Sequence, residues 1–169
     1  MAAAQEVFSK AGYSQAGIRD IAAIAETSTT LLLRYFDSKA GLFEAALIAA
    51  MRMDELLAVE RSGFGSRFAS LLARRDLDML APSMIALATG DANAREIAAR
   101  ATTSHTIEPL AVWLGPPDAR TRAMEIVMIA TGFVTYARQL PILAADQPID
   151  GRLVEWLGRS IQAVVDRSR

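Results

Sequence analysis

Ser28, Thr29 and Thr30 place three hydroxyls in succession at the head of a short apolar-periodic segment, and Arg34, Tyr35 and Lys39 follow soon after. Hydroxyls and free N–H groups at a helix start suit base edges and phosphates. Arg34, Tyr35 and Lys39 suit phosphate oxygens, by charge and hydrogen bonding. Catalytic chemistry finds much less to work with. His105 is the single histidine, and neither Ala101 nor Thr102 supplies the carboxylate that would precede it in a di-metal helix. Acid–base work by Glu108, His105 and a nearby hydroxyl would need a nucleophile, a base and an orienting group in recognisable spacing, and none is spaced so. The chain has no cysteine, which excludes disulfides, thiolate metal sites and a thiol nucleophile. Neither enzymatic activity, nor a metal, nor a cofactor is expected.

The elements that must position these groups read as all-α, since apolar residues recur at spacings of three and four with hardly any alternation. A first helix is expected over Ala2 to Lys10, with Val7 and Phe8 inward and Gly12 supplying the left-handed residue that ends it before a loop at Tyr13. A short helix from Ile18 to Ala25 puts Ile18, Ile21, Ala22 and Ala25 on one stripe and Arg19 outside. Ser28 is an N-cap for Thr29 to Phe36. Asp37-Ser38 separates that from a long helix, Lys39 to about Arg61, with Leu42, Phe43, Ala46, Leu47 and Met51 buried. Beyond the Ser62-Gly63-Phe64-Gly65 breaker, helices are expected near Ser66–Ala73 and Asp76–Thr89, the latter kinked or split by Pro82. Asp91 caps a helix through Trp113 that Pro109 should bend or divide at a boundary. A helix is expected from about Asp118 to Gln139, and its core, Met124 to Val134, is apolar almost all round, so it needs cover on both faces. The last helix, Gly151 to Arg167, carries Leu153, Leu157, Ile161 and Val164 on one stripe, with Val154, Trp156 and Val165 near it. Dimerisation through these two terminal helices is expected.

With 169 residues the chain can bury a substantial core. Its net charge of −1 means that any nucleic-acid surface must come from local placement of a few cations. The uncharged run from Ile126 to Ala137 is shorter than the roughly 18 residues a membrane span requires. The Met1-Ala-Ala-Ala-Gln-Glu start lacks the features of an export signal, so a cytoplasmic protein with no membrane partner is expected.

Two short helices joined by a tight turn, the second ending in an aromatic pair, form the geometry that places one helix in a major groove while the other braces it. In text, Phe8-x-x-x-Gly12-Tyr13, Ile18-Arg19-Asp20-Ile21-Ala22-x-x-Ala25 and Ser28-Thr29-Thr30-x-Leu32-x-Arg34-Tyr35-Phe36-Asp37-Ser38-Lys39-x-x-Leu42-Phe43 resemble the TetR/AcrR family over residues 2–47. The resemblance implies a helix-turn-helix DNA-binding domain, 1–45, and a helical ligand-binding and dimerisation domain, 46–169. It implies DNA contacts from Arg19, Thr27, Ser28, Thr29, Thr30, Arg34, Tyr35 and Lys39. Leu32, Phe36, Phe8, Ile21 and Phe43 should be core.

Departures from the family pattern are instructive. Glu26-Thr27 stands where the family usually has Gly-Val, and Leu31 and Leu33 replace the usual threonine and tyrosine. Ala16-Gly17 replaces residues whose hydroxyls often touch phosphate. In residues 1–47, Lys10, Arg19, Arg34 and Lys39 face five anions, Glu6, Asp20, Glu26, Asp37 and Glu44. A basic arm, usual ahead of the first helix in the family, is expected to be missing from this chain.

Beyond residue 50 the resemblance fades, although Ile107-Glu108-Pro109-Leu110 through Leu114-Gly115-Pro116-Pro117-Asp118 looks like a recurring regulator C-terminal type. Bundle pockets are mostly apolar with a few convergent polar groups. Met79, Met84, Thr102, His105, Thr106, Trp113, Met128, Phe133 and Tyr136 are the pocket candidates, with ordinary core packing the plainer reading for the methionines and aromatics. The function expected is a ligand-responsive regulator, a repressor that binds palindromic operator DNA as a homodimer and is released by a small apolar effector. The competing reading is an interaction protein that kept the regulator fold and lost sequence-specific DNA binding, with Arg34, Tyr35 and Lys39 merely solvating a surface.

Overall fold

In a computed structural model of the chain, residues 1–58, 60–140, 142–143 and 147–167 are described, with backbone alone at 54 and 55. Every regular element among them is helical: α1 (Ala2–Gln15), α2 (Ile18–Ile24), α3 (Thr29–Phe36), α4 (Lys39–Met51), α5 (Met53–Leu57), α6 (Phe64–Ala73), α7 (Leu80–Ala88), α8 (Ala92–Thr102), α9 (Glu108–Leu114), α10 (Ala119–Val134) and α11 (Gly151–Val165). Two π-helical turns, Thr103–Ile107 and Thr135–Gln139, follow α8 and α10. The chain forms two compact units, Met1–Arg52 with Leu80–His105, and Met53–Met79 with Thr106–Arg169.

The first unit closes around Phe8, Ile21, Leu42, Phe43, Ala46, Leu47 and Met84, all buried. Phe8 meets Phe43 edge-on at 5.1 Å, and Tyr13 meets Phe43 at 5.3 Å. Leu32 and Phe36 reach this core from α3 as half-buried side chains. Gln5 donates to the Ala46 carbonyl at 3.1 Å, and Arg100 pairs with Glu44 at 3.5 Å, tying α1 and α8 to α4. α8 begins at Asp91, whose carboxylate accepts the Ala94 N–H at 3.0 Å and the Ser14 hydroxyl at 2.9 Å. These bonds, with the Lys39 charge, hold its carboxyl below the usual range.

The second unit packs α6 against α11. Gly65 makes the crossing possible, because a Cβ there would run into the Gly158 carbonyl and Gln162. Gln162 answers by accepting the Gly65 N–H at 2.8 Å. Phe64 stacks obliquely on Trp113 at 4.7 Å, and the Arg61 guanidinium lies 5.4 Å over the same indole. Arg122, at 1% exposure, donates to the carbonyls of Val164, Val165, Gly115 and Pro117 at 2.7 to 3.2 Å.

Several elements depart from expectation. Gly12 takes the positive φ of 70°, as anticipated, but it kinks α1 instead of ending it, and helix resumes through Gln15 where a loop was expected. Ala25 is exposed and ends α2, so the buried stripe of that helix reduces to Ile21 and Ala22, with Ile18 half-buried. The long helix from Lys39 stops at Met51, because Arg52 adopts the left-handed conformation at the junction of the two units. α7 starts at Leu80, which leaves Pro82 in the first turn, where no intrahelical N–H is required. Pro109 marks a boundary: it lies in the first turn of α9, just after the π-helical turn Thr103–Ile107. On α11, Leu153 is 42% exposed while Leu157, Ile161 and Val164 are buried.

Candidate nucleic-acid interface

α2 and α3 are short because each has a local stop. α2 ends in a Schellman arrangement: the Thr27 N–H donates to the Ala22 carbonyl at 2.9 Å and the Glu26 N–H to that of Ala23 at 3.2 Å. Glu26 occupies the left-handed position of this motif, with φ 49°, which is the physical reason a glycine suits that place. Ser28 then caps α3, its hydroxyl oxygen accepting the Leu31 N–H at 3.1 Å. At the other end Asp37, with φ 63° and ψ −37°, turns the chain so tightly that the Ser38 N–H donates to the Phe36 carbonyl at 2.7 Å. Ser38 caps α4 by accepting from the Gly41 N–H at 3.0 Å.

α3 has no fully buried residue. Thr30, Leu31, Leu33, Arg34 and Tyr35 are exposed, with Thr29 half-buried at its base. At 3.6 residues per turn, Thr30 and Arg34 lie opposite the inward Leu32 and Phe36. Thr27 is half-buried in the turn and Arg19 is exposed on α2. Neither Arg19 nor Arg34 has an ion pair among the described residues, whereas Lys10 is paired with Glu6 at 2.8 Å. Lys39 is differently engaged: its ammonium lies 4.8 Å over the Tyr13 ring and donates to the Ser14 carbonyl at 3.4 Å. It therefore also closes the first unit, a role that only tertiary contact reveals.

The proposed pocket residues divide between the two units. In the first, Met84 is fully buried in the core, Thr102 is half-buried with an enclosed hydroxyl that has no partner, and His105 is exposed. In the second, Phe133 is buried, Met79, Thr106 and Trp113 are half-buried, and Met128 and Tyr136 are exposed at 59% and 63%. Two open clefts on the second unit, beside α6 and between α6 and α11, are lined by none of them. No group of acidic, histidine or cysteine side chains suited to a metal occurs among the described residues.

Two family models match the chain: "Bacterial regulatory proteins, tetR family" over residues 1–46 and "Tetracyclin repressor-like, C-terminal domain" over residues 62–165. The chain belongs to the TetR family. Solved structures of the same fold include a TetR-family transcriptional regulator from Rhodococcus sp., with TM-score 0.68 and 20% identity over 97% of this chain and 95% of that one. A transcriptional regulator from Rhodococcus sp. Rha1 gives TM-score 0.61 and 24% identity, with 99% and 92% covered. A TetR-family regulator from Mesorhizobium loti MAFF303099 gives 0.54 and 17%, with 97% and 90% covered. None of the curated proteins matches the chain. As a TetR-family transcriptional regulator it carries its helix-turn-helix in α2 and α3, and its second family match begins in the segment before α6. Among the described residues, no helix is long and apolar enough to cross a membrane.

Proposed function

We propose that this TetR-family regulator binds palindromic operator DNA as a homodimer, represses from it, and is released when a small apolar effector occupies the helical domain. Residues 1–45 form the DNA-binding domain in this reading and 46–169 the effector and dimerisation domain. The observation that carries it is α3 itself, a capped helix whose outward face holds Thr30 and Arg34, the latter without an ion pair among the described residues. Ser28, Thr29 and Thr30 approach bases and phosphates at its N-terminal end, and Arg19, Thr27, Arg34, Tyr35 and Lys39 hold phosphates.

Homodimerisation draws support from Met124, Met128, Leu153 and Trp156, which α10 and α11 leave 37%, 59%, 42% and 51% exposed. Apolar side chains so placed on terminal helices favour a second copy over water. The partnerless hydroxyl of Thr102 supports a ligand hydrogen bond there. The remaining pocket candidates, Met79, Met84, His105, Thr106, Trp113, Met128, Phe133 and Tyr136, keep their proposed part in the effector response. An effector acts by favouring a spacing of the two recognition helices other than the roughly 34–36 Å that one turn of DNA presents. A cytoplasmic setting follows from this function.

Selection from a random duplex library tests the reading: recovery of a palindrome supports it. Failure to enrich any sequence favours the interaction-protein reading, to which the exposed Leu31 and Leu33 lend weight.

A further inference from the structure

We propose that Leu31 and Leu33 read the operator through thymine C5-methyl groups, so that each half-site carries thymines where these side chains enter the major groove. The inference rests on the DNA-binding reading above and adds to it the base that is read. Leu31 is 56% exposed and Leu33 40% exposed on a helix with no buried residue. With Leu32 and Phe36 turned inward, the two leucines flank the outward Thr30 and Arg34, one on either side. α3 carries a single charge, that of Arg34, so a polyanion meets no repulsion from this helix itself.

The chemistry then selects the base. A leucine side chain neither donates nor accepts a hydrogen bond, so a base edge that presents only donors or acceptors to it loses water and gains nothing. The major groove offers one apolar group, the methyl of thymine. Cytosine places a hydrogen and an amino donor there, and both purines place the N7 acceptor. Leu31 and Leu33 therefore discriminate by exclusion as much as by contact. Thr30 and Arg34, between them, supply the hydrogen bonds that fix register.

The experiment uses the full chain and sites it selects from random duplexes. Each thymine of the selected site is replaced singly by deoxyuridine, which removes the methyl and leaves every hydrogen-bonding group in place. Expected is a loss of about fourfold in affinity at one or two thymines per half-site, the effect of withholding one methyl from burial, and about fifteenfold when both half-sites are altered. In Leu31→Ala or Leu33→Ala the corresponding penalty vanishes, with the helical content unchanged. Indifference to deoxyuridine at every thymine, or penalties that persist in both variants, overturns the inference while leaving DNA binding intact. Absence of any sequence enrichment overturns the DNA-binding reading itself, and this inference with it.

Discussion

The carbonyl oxygen of Phe36 occupies the space that a side chain on Gly41 would need. The contact follows from the tight turn at Asp37, which brings the last residue of α3 against the first turn of α4. Because the obstacle is backbone, no rotamer change relieves it. Gly41→Ala should cost about 1–3 kcal/mol, as overpacking does. Thermal unfolding should show a fall of about 2–4 °C for each kcal/mol. An unchanged unfolding temperature would mean that the α3–α4 turn is looser than described.

Glu26 offers the opposite change. Its φ of 49° strains an L-residue, and its side chain adds a negative charge beside α3. Glu26→Gly should stabilise the chain by about 1 kcal/mol, since glycine takes the left-handed conformation without penalty. Glu26→Ala removes the charge alone and should give no such gain. Paired denaturation curves of the two variants check this.

Arg122 holds four carbonyls from within the second unit, at the end of α11 and around the start of α10. Arg122→Met keeps much of the volume and strands those oxygens. The expected loss is about 3 kcal/mol, from buried acceptors left without donors. It is read as a fall in the urea midpoint with an unchanged slope. Arg122→Lys should recover little, since one ammonium cannot span all four.

Acid should weaken the fold in a defined direction. The Ala94 N–H, the Ser14 hydroxyl and Lys39 hold the Asp91 carboxyl below its ordinary value of 3.8. The Arg167 guanidinium does the same for Glu125, chiefly by hydrogen bonding. A depressed carboxylate contributes stability that is fully present above its unfolded pKa and is lost as pH falls through its folded value. Wild type should therefore exceed Asp91→Asn in unfolding temperature at neutral pH, and the gap should close as pH falls below about 4. A gap that widens in acid would contradict the assignment.

Much of the helix-turn-helix segment was legible in the sequence because its signals are local. Ser28 before Thr29, and Asp91 before Ala92, are capping residues whose hydrogen bonds lie within three residues, and α3 has the expected bounds. Phe8, Phe43 and Ile21 are buried as the helical period implied. The break at Arg52 was not legible, since no glycine or proline marks it. The association of α7 and α8 with the N-terminal helices was not legible either. Nothing local marks Arg122, because the carbonyls it holds come from the end of α11 and from the segment between α9 and α10. Lys39 read as a phosphate contact, and its hold on Tyr13 and Ser14 depends on a fold that spacing does not report. For the pocket candidates, helical period gives a face and tertiary packing decides which faces surround a ligand.

Sequence-specific DNA binding through α3 is tested by the affinity of the full chain for its selected duplex against a scrambled one at two salt concentrations. The expected ratio is about 10³ or more. Arg34→Ala should reduce the salt slope by about one without lowering stability, since among the described residues Arg34 has no ion pair to lose. A ratio near one, or a slope that Arg34→Ala leaves unaltered, would contradict DNA binding through α3.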